Sequence, residues 1–213
     1  MKTDDLIASL GDEATPVKPL PSPRTRYLRW LGAALLCLGA GMAVLGLRPD
    51  LAERLTSWAF VLQAVLTFGL GLLSAAAAFV LSVPSTRDSR WLRRLPLAVL
   101  GLWLILLVTL AIRFPAEAGI AGWGFPCVRD IVILGLLPGA FLFFMIARAA
   151  PLMVRWTGML VAMSAAGLGA FASHMLCAND AFLHVIAWHL LPVSVIGIAG
   201  VGLGRLLRRW EYR

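Results

Sequence analysis

Charge is what this chain of 213 residues has little of: 14% of its residues are Asp, Glu, Lys or Arg, and only 11 are acidic. A soluble domain carries roughly 25% charged and about 45–50% apolar residues, whereas 60% are hydrophobic here. Too few polar side chains exist to coat a water-soluble fold of this size, which excludes an ordinary cytosolic domain. Cysteine is scarce, and so is histidine, with three of each. The cysteines form neither a Cys-x-x-Cys pair nor the paired spacing of a zinc knuckle, so the usual signature of a thiol oxidoreductase or a zinc ribbon is missing. The start, MKTDDLIASLGDEA, lacks the basic opening and apolar run of a secretory signal. The first apolar segment is therefore expected to stay as an anchor.

What the chain does have is long apolar runs. Six stretches, near 28–47, 58–83, 96–114, 131–147, 157–176 and 182–204, each supply the roughly twenty residues that cross a bilayer. Their faces carry almost no polar residues, so a soluble helical bundle is excluded. The expected fold is all-α: a polytopic six-helix transmembrane bundle over 28–204, with a short cytoplasmic arm (1–27) before it and a basic cytoplasmic tail (205–213) after it. The net charge of +8 invites a nucleic-acid reading, but the cations sit at the edges of the apolar runs. The lipid bilayer, and no nucleic acid, is the partner that this pattern fits. One side of the bundle holds 15 Lys and Arg, among them Lys18, Arg24, Arg26, Arg29, Arg93, Arg94, Arg148 and Arg205. The other holds four: Arg48, Arg54, Arg113 and Arg129. That excess puts both termini in the cytoplasm.

Small residues recur one turn apart at Gly135 and Gly139, at Gly200 and Gly204, and at Ala162, Ala166 and Ala170. Such faces let membrane helices approach closely. Pro138 and Pro192 fall inside the fourth and sixth segments, where each removes a backbone hydrogen bond and is expected to act as a hinge. In the arm, Leu6, Ile7 and Leu10 make one apolar edge of a short helix that Thr3 is placed to cap ahead of Asp4 and Asp5. Thr3, Asp4, Asp5, Leu6, Ile7 and Leu10 are thus candidate partner-binding residues, a peptide that folds into a groove with its acids facing basic groups. The proline-rich TPVKPLPSP after them reads as an extended spacer.

Two of the cysteines share a frame: CVRDIVILGLLP from Cys127 and CANDAFLHVIAWHLLP from Cys177. The topology above puts both at the outer face, Cys127 in the loop before the fourth segment and Cys177 in the turn before the sixth. Asp130 and Asp180 then stand where helices begin, and capping explains them better than ligation. Exposed thiols in an oxidising compartment pair or bind something. His174, three residues before Cys177, and His184, one turn beyond Asp180, share the neighbourhood, and ionisable groups in membrane helices mark functional positions. Cys127 and Cys177 with His174 and His184 make a set for a transient soft or borderline metal ion; a disulfide is the other outcome. No constitutive cofactor is expected. His189, beside Trp188, reads as a neutral histidine hydrogen-bonded across helices, and Cys37, mid-segment, as a small hydrophobe.

The opening Thr3-Asp4-Asp5-Leu6-Ile7, the PVKPLPSPRTR spacer, six membrane helices and the outer pair Cys127 and Cys177 resemble the NrsF-type anti-sigma factors. The resemblance implies a bacterial inner-membrane protein, not an enzyme, that holds an extracytoplasmic-function sigma factor inactive. It implies Cys127 and Cys177 as the residues that register heavy-metal or oxidative stress, and the arm with the basic inner loops as the grip on the sigma factor. Joining or metallating the thiols would pull the fourth segment against the five–six hairpin and loosen that grip. The rival readings are a membrane thiol-redox enzyme, a small transporter and a haem protein. No acid–base pair is evident for the first, and no buried carboxylates line a path for the second.

Overall fold

The computed structural model describes residues 3–12, 19–83, 90–117, 119, 122–149 and 151–209. Helix α1 spans Thr3–Asp12, α2 Pro23–Leu45, the single turn α3 Leu51–Arg54, α4 Trp58–Leu81 and α5 Arg90–Arg113. Next come a 3-10 turn at Pro115–Glu117, then α6 over Phe125–Ala147, α7 over Val154–Leu176 and the single turn α8 over Phe182–Val185. A π turn, Ile186–Leu190, joins α8 to α9, Leu191–Arg209. The described residues hold no strand, and six helices are long and apolar enough to cross a membrane. The all-α six-span bundle is therefore present.

Four of the six spans begin earlier than hydrophobicity places them, and for α2 and α6 proline is the reason. Pro23 sits in the first turn of α2, where its missing N–H has no helical partner to lose, and Ser22 Oγ accepts from the Thr25 N–H at 3.2 Å. Arg24, Arg26 and Arg29 are thereby helical. Pro126 does the same for α6, which starts at Phe125 and not near 131, so that Cys127 lies in its first turn. Thr3 is the first described residue and opens α1 as described. Ile7 is exposed, whereas the side chains of Leu6 and Leu10 lie outside the described residues.

Two end-to-end contacts define the faces. Arg26, expected as an interfacial cation, is buried: its guanidinium donates to Ser82 Oγ at 3.3 Å and to the Met145 carbonyl, and lies over the Phe79 ring at 5.2 Å. It gathers the start of α2 and the ends of α4 and α6 at one face. At the other face Arg48, just past α2, bonds to the turn after α7, described below.

Helix α7 runs through the middle, packed against α9, α6 and α4 and buried along most of its length. Its small residues explain this position. A methyl carbon at Gly158 would land on the Gly200 carbonyl and the Gly204 backbone, and one at Gly169 on the Ile131 carbonyl. The helices therefore meet backbone to backbone, as small residues permit in lipid. Exchanging Gly158 for valine should force α7 from α9 at an overpacking cost of about 1–3 kcal/mol. The check is the thermal midpoint of the detergent-purified protein, expected several degrees lower; an unchanged midpoint would show that this seam does not hold the bundle.

Of the expected hinges, Pro138 lies inside α6, and its carbonyl accepts the Trp30 indole N–H at 3.0 Å. Pro192 is the second residue of α9, and the irregularity falls ahead of it. In the π turn the Leu191 N–H reaches back five residues to the Ile186 carbonyl. The wide turn lies where the Pro192 ring would crowd the carbonyl four residues back.

Candidate functional site

The first turn of α6 and the end of α7 build the site. The Cys127 N–H bonds to the Gly124 carbonyl at 3.0 Å, and Ser173 Oγ of α7 donates to the Cys127 carbonyl at 3.3 Å. A side chain at Gly124 would strike the Trp188 indole, so the start of α6 rests directly on the π turn. Helix α7 stops at Leu176; Cys177 turns to extended backbone, φ −73° and ψ 124°, with its N–H held by the Ser173 carbonyl at 2.8 Å.

This brings Cys127 Sγ to 3.4 Å from Cys177 Sγ, with the Cys127 thiol as donor. His184 Nε2 lies 3.6 Å from each sulfur. His189 completes the group, and ligand atoms of Cys127, Cys177, His184 and His189 all fall within 4.8 Å of one another. Three of the four are buried, and Cys177 is half-buried. Both cysteines carry free thiols, as does Cys37, which is half-buried in α2 and outside this group. The hydrogen bond received from Cys127 holds the Cys177 thiol below its ordinary pKa; burial works against this, and His189 adds to it.

His174 is not in the group. Because α7 ends before Cys177, the two residues do not share a helical face, and the His174 ring instead stacks on Phe60 with centroids 4.2 Å apart. The imidazole expected from His174 comes from His189. That histidine, expected to be hydrogen-bonded across helices, interacts with Cys177, while its Nε2, like Nδ1 of His184, has no hydrogen-bond partner among the described residues. Along an α-helix, residues five apart point about 140° away from each other, which hides the pairing of His184 with His189 in the sequence. The π turn between them changes that register.

Neither aspartate caps a helix. Asp130 falls inside α6 because the helix starts before it, and pairs with Arg129 at 2.8 Å. Asp180 is drawn to Arg48, whose Nη1 and Nη2 reach its two oxygens at 2.7 and 2.9 Å. The local turn is closed by Asn179, whose Oδ1 accepts the Ala181 N–H at 3.0 Å. Arg48 also donates to Asp50 at 2.7 Å and 3.0 Å, its backbone N–H bonds to the Met175 carbonyl at 3.2 Å, and Arg54 joins Asp180 at 3.1 Å. Burial would lower the pKa of Arg48, but hydrogen bonds to Asp180 and Asp50 outweigh it and raise the value; in turn, Arg48 holds the Asp50 carboxyl below the usual range. The result is a charge clamp across the turn that carries Cys177.

A family model described as Negative regulator of sigma F matches residues 10–210. The chain is similar to the anti-sigma-F factor NrsF of Caulobacter vibrioides, 30% identical over 220 residues, covering 99% of this chain and all of that protein. It is also similar to the probable anti-sigma-F factor NrsF of Azospira oryzae, 29% identical over 218 residues with the same coverage. No solved structure matches it.

Proposed function

Because the chain belongs to the negative regulator of sigma F family, we propose that it is a membrane anti-sigma factor with both termini in the cytoplasm of a bacterial inner membrane. There it sequesters an extracytoplasmic-function sigma factor through α1 and neighbouring basic helix ends. It releases that factor when Cys127 and Cys177, at the outer face, register heavy-metal or oxidative stress. The observation that supports the sensing reading is the 3.4 Å approach of the two sulfurs, made by residues 50 apart at the ends of different helices. The acidic first turn of α1, Asp4 and Asp5 beside an exposed Ile7, supports the grip.

The sulfurs already adjoin, so the stimulus has no long path to close. A disulfide needs about 2.05 Å between them, and either chemistry shifts the α6 start against the α7 end by little. Release then depends on two packings of the bundle that differ in affinity for the partner.

The test is co-purification. Full-length protein in detergent is expected to retain its sigma factor, and a chain lacking residues 1–20 to lose at least tenfold in recovery. Failure of the full-length chain to retain any sigma factor defeats the function. Full retention by the truncated chain removes the arm from it.

A further inference from the structure

The sulfur pair alone would satisfy a redox sensor, yet two imidazoles are buried with it, and a disulfide would give them nothing to do. Resting on the thiol-sensing reading, we propose that Cys127, Cys177, His184 and His189 form one tetrahedral site for a divalent cation of zinc-like character, with both histidines as ligands.

The geometry carries this. A tetrahedral zinc ion, with bonds of about 2.3 Å to sulfur and about 2.0–2.1 Å to nitrogen, sets edges of about 3.8 Å between sulfurs and about 3.5 Å from sulfur to nitrogen. The separations here are 3.4 Å between sulfurs and 3.6 Å from each sulfur to His184 Nε2. Three of the ligand positions thus already stand within a few tenths of an ångström of the polyhedron, and His189 lies within the same 4.8 Å sphere. His189 reaches it through a π turn, an insertion that recurs at functional sites in otherwise regular helices.

Charge selects the ion. Each protonated thiol gives its proton to water as its sulfur–metal bond forms, so two thiolates, two neutral imidazoles and one divalent cation sum to zero. A neutral assembly suits a buried position, whereas copper(I) would leave a net negative charge there, with the desolvation cost that follows. Binding is reversible by construction. Ligating histidines are usually backed by a carboxylate or carbonyl on the other nitrogen, and loss of that backing weakens a site by about 10–100-fold. Nδ1 of His184 has no such partner among the described residues. A regulator that must lose its metal when the stimulus passes needs such a site.

Cobalt(II) is the probe, added alone to the reduced full-length protein in detergent. The wild type is expected to bind one equivalent with the intense visible bands of tetrahedral coordination and thiolate charge transfer, and zinc to bleach them. Cys127→Ser and Cys177→Ser should abolish the charge-transfer band. His184→Gln and His189→Asn should each weaken binding at least tenfold and alter the visible bands, while His174→Asn should not. Thiol counting on each histidine variant shows that the two sulfurs remain available. A wild-type spectrum in both His184→Gln and His189→Asn, or no cobalt bound by the wild type with its thiols reduced, overturns the site. If such a protein still retains its sigma factor, the anti-sigma reading survives that failure.

Discussion

Cells carrying Cys127→Ser together with Cys177→Ser should show no sigma-factor release under cadmium or oxidant stress, with reporter transcription held at its uninduced level. The protein should still reach the membrane in normal amount and still retain the sigma factor. Serine matches the volume of cysteine closely, so the packing of the Ser173 hydroxyl and the Gly124 turn around Cys127 stays as it is. What is lost is chemistry: a hydroxyl neither forms a disulfide nor binds a borderline or soft cation as a thiolate does. The measurement is a transcriptional reporter read beside immunoblots of the membrane fraction. Induction that persists in the double variant would end the sensing role of the pair.

The second large effect is expected at the clamp. Arg48 has a fully buried side chain, and its partners Asp50 and Asp180 are 37% and 26% exposed. Taking away Asp180 leaves a buried cation with one carboxylate instead of two and frees the turn that carries Cys177. Breaking a buried pair costs about 3–5 kcal/mol, and the water that reaches both carboxylates places Asp180→Ala near the low end, about 3 kcal/mol. Two readouts follow: a lower thermal midpoint, and faster maleimide labelling of Cys177 at fixed pH. Asp180→Glu, which keeps the charge, should recover most of both. If Asp180→Ala labels at the wild-type rate, the clamp does not set the position of Cys177.

The parts of this molecule legible in its sequence are those that the bilayer dictates. Twenty apolar residues are needed to cross it, so the six spans stand out; the starts of α2 and α6 do not, because Pro23 and Pro126 begin helices in ways that hydropathy does not register. Alternation of spans puts Cys127 and Cys177 at one face, and the fold brings them into contact. His189 is different. Its partnership with His184 rests on a single wide turn, and a period of 3.6 residues reads the two as facing apart. Arg48 is hidden for another reason: an arginine in a loop reads as solvated, and its partner Asp180 is 132 residues away. Asp180, likewise, sits where a cap is expected, and only the presence of a buried guanidinium shows why it turns elsewhere. The one signal within reach was that Arg48 is among just four cations on a face otherwise poor in them.

Helix α7 ends at Leu176, next to Cys177, on one side and at Val154 on the other, where a methyl carbon at Gly204 of α9 would meet the Val154 carbonyl. Side chains normally cushion a moving helix by changing rotamer; main chain pressed on main chain has no such slack. Helix α7 therefore links the turn that carries Cys177 to the C-terminal part of α9 through 23 helical residues and a backbone-to-backbone seat, with little room for side chains to absorb a shift between them.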